Sequence, residues 1–152
     1  MPFTAMTNLA AGVLVTEADM DALRGNITYL LTPGAVYTAR GAVTTTSTDY
    51  TDIAGLSAVH TAYGGITTIH FVGDFTTAGN GEALTMVQLM SDATVLANAT
   101  KNIRYNYTYR DGITLSWSTA MASGAHTIKV QWSTIATNTA ALITGKLLVY
   151  GG

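Results

Sequence analysis

From residue 35 to the end of the 152-residue chain, apolar and polar residues alternate with a period of two, interrupted at short intervals by turn-forming residues. Successive side chains of a strand point to opposite faces, so this is the pattern of strands with one face in a core and the other in solvent. Candidate strands fall at 36–43, 50–53, 58–63, 66–75, 84–90, 94–99, 103–110, 113–119, 126–135 and 141–150. Gly64-Gly65, Gly79-Asn80-Gly81, Asp111-Gly112 and Ser123-Gly124 supply turn chemistry between them. Alternation is cleanest in the last third, where Ile113, Leu115 and Trp117 share one face and Ile128, Val130 and Trp132 another. Ile103, Tyr105, Tyr107 and Tyr109 form a third such face. Many short strands at regular spacing predict an all-β fold, an antiparallel β-sandwich of jelly-roll-like type. Both Trp residues are expected in its core, where each indole N–H needs an acceptor.

Ahead of the strands the period changes. Residues 16–31 predict one short N-terminal helix: Thr16 is a good N-cap, Asp19 sits three residues on, and Glu17 favours the positive helix end. Val15 and Met20 occupy the positions of a hydrophobic staple, and Pro33-Gly34 ends the helix. Met20, Leu23, Ile27 and Leu30 step by three, four and three, an apolar seam along one side. A helix of about 15 residues is marginal alone in water, so it must dock, on its own sandwich or on copies of itself. Residues 1–15 carry no strong period and read as an extended arm with apolar contacts, among them Phe3, Met6, Leu9 and Val13. The organisation is an arm and helix over 1–34, for attachment or oligomerisation, and a single β-sandwich domain over 35–152.

Charged residues make up only 11% of the chain against 48% hydrophobic ones, so Thr, Ser, Asn and Gly keep the surface wet. Uncharged polar surface is cheap to desolvate and suits a protein pressed against neighbours, although a Thr-rich surface also follows from strand propensity alone. The net charge is −2 and the seven basic residues are scattered, which gives no electrostatic footprint for nucleic acid. Cysteine is absent, so stability must come from packing or association. The apolar stretch 9–15 is too short to span a membrane and lacks the basic flank of a secretory signal.

Chemistry-bearing patterns are sparse. His60, His70 and His126 fall on three separate candidate strands without a second ligand at metal spacing, and each reads as a hydrogen-bonded structural residue. Asp74 and Glu82 flank the turn 76–81 and Asp92 lies in a later one, where acids serve Asx-turns and solubility more often than paired-carboxylate catalysis. There is no GxSxG elbow and no phosphate-cradling glycine loop before a helix. No catalytic set, cofactor or metal site is expected. The tyrosine run 103–110 fits burial in a core or between subunits, or else a sugar platform formed by Tyr105, Tyr107 and Tyr109.

The segment VTEADMDALRGNITYLLTPG (15–34), followed directly by a Thr-rich β domain, resembles the opening of many small virion structural proteins of tailed bacteriophages. In these a T-x-x-x-[MFL]-[ND]-x-[LI]-R-x-N-[IV]-x-[YF]-L helix precedes a jelly-roll-like domain. The late hairpin SGAHTIKVQWST (123–134) is similar to the AGxHTxKxQW strand near the end of such domains. The resemblance covers about a fifth of the chain and implies a trimeric accessory protein of the particle, made in the host cytoplasm and located in the virion. Its partners would be itself and the major capsid or other virion proteins, with no nucleic acid or membrane. A chain of 152 residues has room for the compact domain and gripping arm of a head decoration (cement) protein. The modules of a full receptor-binding fibre fit less well, and a glycan-binding tail-fibre or tail-tip protein is the alternative. Met20, Leu23, Ile27 and Leu30, then Phe3, Met6, Leu9 and Val13, are the expected contacts.

Overall fold

The computed structural model describes residues 20–21, 36–78, 82–104, 110–135 and 139–152. The chain divides into Met1–Gly34 and Ala35–Gly152. Of the first unit only Met20 and Asp21 are described, both helical and exposed.

The described residues of Ala35–Gly152 form nine strands: β1 (Val36–Arg40), β2 (Val43–Thr45), β3 (Thr51–Ala62), β4 (Ile66–Ala78), β5 (Glu82–Ser91), β6 (Thr94–Arg104), β7 (Asp111–Ala120), β8 (Gly124–Thr134) and β9 (Thr139–Gly151). One sheet has the order β1-β9-β4-β7, with β2 also on β9; the other has the order β3-β8-β5-β6. Every pairing is antiparallel. With β1 and β2 taken as one interrupted strand, each sheet has four members. The chain changes sheet at every connection except the β5–β6 hairpin, which is the winding of a jelly roll.

Between the sheets lies the core that the alternation predicts. Ile69, Phe71, Phe75, Leu147 and Val149 from the first sheet meet Ile53, Leu56, Val87, Leu89, Ile128, Val130 and Trp132 from the second, all buried. Phe75 joins the layers, its ring 6.4 Å from that of Phe71 and 6.3 Å from that of Trp132. Room for these rings comes from a cross-strand glycine pair, Gly73 on β4 opposite Gly145 on β9. A Cβ on Gly73 would lie 2.6 Å from Phe71 and 2.7 Å from Phe75, and one on Gly145 would lie 2.8 Å from Leu56.

The structure corrects the sequence reading in several places. The expected strand 36–43 breaks at Gly41-Ala42 into β1 and β2. The expected strands 50–53 and 58–63 are one strand, β3, whose register shifts between Asp52 and Ser57. Gly55 inside that shift has φ +83, a bulge geometry that only glycine takes up without strain. Strand 94–99 continues through 103–104 as β6, and Asp111-Gly112 opens β7 instead of turning before it. There Lys101 reaches across from β6 to the Asp111 carboxylate at 3.0 Å and the Gly112 carbonyl at 3.2 Å. Segment 124–134 is the single strand β8 and not a hairpin. Trp132 is buried as expected, but Trp117 is 42% exposed. It has the inward parity of Ile113 and Leu115, yet it sits on an edge strand where the facing sheet no longer covers it.

Candidate binding face

The outward positions of the first sheet line up in rows across four strands. Tyr37 of β1 faces Leu148 of β9, which faces His70 of β4, which faces Ser116 of β7. On one side of this row lies Tyr150–Thr68–Ser118, and on the other Ala39–Lys146–Val72–Thr114. Tyr37 is 55%, Ile66 61% and Val72 48% exposed, large values for apolar side chains on a sheet. Lys146 and Asp74 carry the only charges among the described outward residues of this face, and Asp74 accepts a hydrogen bond from the Thr144 hydroxyl at 3.1 Å. Asp74 lies within β4, which runs on to Ala78, past the expected start of the turn at 76.

His70 organises the centre. Its Nδ1 is 2.7 Å from the Ser116 hydroxyl and its Nε2 is 3.1 Å from the Tyr150 hydroxyl. The His70 and Tyr150 rings stack with centroids 5.8 Å apart. Both partners are hydroxyls that can donate or accept, so a neutral imidazole is satisfied with either nitrogen protonated. Thr68 and Ser118 add a second cross-strand hydroxyl pair at 3.0 Å. The result is a flat, nearly uncharged surface of aromatic rings and hydroxyls, locked by side-chain hydrogen bonds. Such a surface loses little on desolvation and keeps its shape when covered.

The outer face of the second sheet is different in kind. Asp52 accepts from Lys129 at 3.1 Å and from the Gln131 amide at 2.6 Å, and Gln131 in turn accepts from Gln88 at 2.6 Å. The Gln131 bond, with Lys129, holds the Asp52 carboxyl below the usual carboxylate range. Asp52, Lys129, Gln131 and Gln88 are thus paired with one another.

At the β5–β6 turn, Asp92 has φ +52 and accepts the Thr127 N–H at 2.8 Å on one oxygen and His126 Nδ1 at 2.8 Å on the other. His126 Nε2 donates to the Ala122 carbonyl at 3.0 Å. Both ring nitrogens donate, which only imidazolium does, so the Asp92 bond and the Ala122 carbonyl raise the pKa of His126. The Thr127 N–H, then His126, lowers that of Asp92. A cleft of about 220 Å³ beside this corner is lined by Ser91, Leu96, Thr119 and Met121 among others. A larger one, about 410 Å³, lies between β2 and the β4–β9 pair, with Val43, Thr76, Leu142 and Arg110 in its wall. The smaller cleft also has Asp92, His126, Thr94 and Thr119 in its wall, but both His126 nitrogens are taken, by the Asp92 carboxylate and the Ala122 carbonyl, so neither is left to activate a hydroxyl. Among the described residues there is no group of three or more His, Cys, Asp or Glu suited to a metal ion. No described helix is long and apolar enough to cross a membrane.

Of the contacts expected from the sequence, Met20 is described and is 48% exposed. Phe3, Met6, Leu9, Val13, Leu23, Ile27 and Leu30 lie outside the described residues, as do Tyr105, Tyr107 and Tyr109. The three histidines do fall on three strands, β3, β4 and β8. The face around His70 was missed. Its signal was the outward register of β4, where Ile66, Thr68, His70 and Val72 run uncharged until Asp74.

No family model matches the sequence, and no curated protein matches it. Solved structures do share the fold. The infectious bursal disease virus VP2 subviral particle aligns over 78% of this chain and 32% of that one, with TM-score 0.54 and 12% identity. The structure of the Gx strain of the same virus aligns over 79% and 32%, with TM-score 0.52 and 14% identity. Eiger TNF from S. frugiperda aligns over 79% and 93%, with TM-score 0.47 and 12% identity. The chain thus spans about a third of the length of the viral proteins it matches. The class is established as a jelly-roll β-sandwich.

Proposed function

We propose that this chain is a non-enzymatic structural protein of a virion, a decoration (cement) protein of a tailed-phage head, seated on its lattice through the outer face of the first sheet. The observation that carries the proposal is the Tyr37–Leu148–His70–Ser116 row, with its flanking rows, exposed and almost free of charge. A monomer has no use for Tyr37, Ile66 and Val72 bare on one face, whereas a contact of about 800 Å² per partner uses them as its apolar centre. The sequence resemblance at 15–34 supports the phage assignment, and the capsid-type jelly roll agrees with it. Repeated by lattice symmetry, modest contacts accumulate into a clamp between neighbouring capsid subunits.

The test is localisation on purified particles by cryo-EM. Many symmetric copies on the capsid, with Tyr37 and Val72 at the contact, are expected; absence from particles overturns the reading. A second reading is a tail-tip or tail-fibre protein that binds host-surface glycan. It is favoured by the stacked His70–Tyr150 pair, which offers ring faces beside hydroxyls. A few copies at the tail, together with glycan-array binding lost on Tyr150→Ala, would select it.

A further inference from the structure

Each sandwich has four edge strands, and three of them here are interrupted. The β1–β2 edge breaks at Gly41-Ala42. Edge β3 carries the register shift between Asp52 and Ser57. Edge β6 pairs with β5 through another shift, where Leu96 is the extra residue between the Leu89–Ala97 and Met90–Val95 pairs. Such irregularities protect an edge from pairing with another chain. Edge β7 has none. Its register with β4 runs unbroken from Ile66–Ala120 to Phe75–Asp111. It contains no proline, and from Gly112 to Ala120 no charge; the one charged residue, Asp111, is paired with Lys101. Among the described residues no strand lies beyond it. Thr114, Ser116 and Ser118 therefore direct their N–H and C=O outward from the sheet, while at the two ends the Gly112 carbonyl takes Lys101 and the Ala120 carbonyl takes the Thr119 hydroxyl.

From this we infer that β7 is a self-association edge, pairing antiparallel with β7 of a second copy about a two-fold axis at Ser116. The side chains select that occupant. An axis perpendicular to the sheet at Ser116 sets Thr114 opposite Ser118 of the partner subunit and Leu115 opposite Trp117 of the partner subunit. Outward positions then match hydroxyl with hydroxyl. Inward, the exposed indole of Trp117 is covered by an aliphatic partner, a favourable cross-strand pair. A 10-residue strand is about 34 Å long, and with the sandwich thickness it presents roughly 700 Å² per partner, close to a standard interface. The axis keeps outer faces on one side, so the two Tyr37–His70 faces form one continuous surface. The inference stands whether or not the chain belongs to a virion. A two-fold contact also differs from the trimer that the sequence resemblance implies.

Sedimentation of the purified full chain at micromolar concentration is expected to give twice its 15.9 kDa mass. A monomer or a trimer overturns the inference. The register is read by cross-linking, since the native chain has no cysteine. Under mild oxidation Ser116→Cys should form a disulfide dimer at least tenfold faster than Ser118→Cys, whose copies would stand roughly 13 Å apart. Equal rates overturn it. The pair Thr114→Lys with Ser118→Lys sets like charges opposite each other and should dissociate the dimer. Thr114→Lys with Ser118→Glu should restore it. If both charge pairs behave alike while far-UV circular dichroism shows intact strands, the register is wrong.

Discussion

His60 and His126 stand opposite each other across the β3–β8 pair, and their surroundings shift their pKa values in opposite directions. His60 is 2% exposed, and burial depresses its pKa against the opposing Gly151 backbone, with the nearby positive His126 adding to the depression. His126 has Asp92 on one nitrogen and the Ala122 carbonyl on the other, and its pKa rises. One strand pair thus disfavours the charged form of one imidazole and favours that of the other.

The two make opposite contributions to the pH dependence of stability. The His126 contribution is full below the ordinary value of 6.5 and is lost as pH rises through its higher folded value. The His60 contribution is full above 6.5 and is lost as pH falls through its lower folded value. His126→Gln should therefore cost about 1 kcal/mol at pH 5–6, less at pH 8, given that the Asp92 carboxylate is half exposed. It leaves a chain whose stability rises with pH up to about 6.5. Urea unfolding of both proteins from pH 5 to pH 8 measures this, and identical slopes would refute the assignment.

Gly73 and Gly145 make a prediction of a different kind. Each is a place where the core has filled the volume that a Cβ would take, by ring atoms of Phe71 and Phe75 in one case and by Leu56 and Leu142 in the other. Gly73→Ala and Gly145→Ala should each destabilise by about 1–3 kcal/mol through overpacking. Gly41→Ala, where a Cβ meets nothing within 4 Å, is the control and should change little. The midpoint of chemical unfolding reads all three. The two core substitutions share Leu142, so their costs should not add.

The strands were legible in the sequence because the side-chain period is a property of single strands. What lies beyond one strand was not. Parity told that Trp117 points with Ile113 and Leu115, but whether a facing sheet covers it depends on where β7 falls in the strand order. The gap between the expected strands 50–53 and 58–63 looks like a loop in the sequence, and only the partner strand shows it as a bulge within β3. The Tyr37–Leu148–His70–Ser116 row draws on β1, β9, β4 and β7, and His70 and Tyr150 are 80 residues apart, a distance no local pattern bridges.

The two Trp positions turn that difference into numbers. Trp132→Ala should cost about 3–5 kcal/mol, as for a buried aromatic ring, and Trp117→Ala far less in dilute solution. In single-Trp variants kept dilute enough to be monomeric, iodide should quench Trp117 readily and Trp132 hardly at all. Comparable quenching of both would contradict the packing.

On the proposed decoration reading two surfaces compete as the contact, and substitutions separate them. The apolar seam of 16–31 predicts that Leu23→Asp with Ile27→Asp weakens assembly while the β signal in circular dichroism persists. The sheet face predicts the same of Tyr37→Ala with Val72→Asp. Val72 lies opposite Lys146, so its replacement by Asp creates an opposite-charge cross-strand pair and should leave stability within about 0.5 kcal/mol. It also places a carboxylate beside the exposed apolar residues of the contact, where desolvation penalises it. Loss of Tyr37 as an aromatic anchor should cost about 2 kcal/mol of binding, and the pair should lower affinity for purified particles at least 30-fold. A helix variant that binds normally while the sheet variant does not would assign the grip to the sandwich. The reverse would assign it to the N-terminal segment, and normal binding by both would remove the basis of the decoration reading.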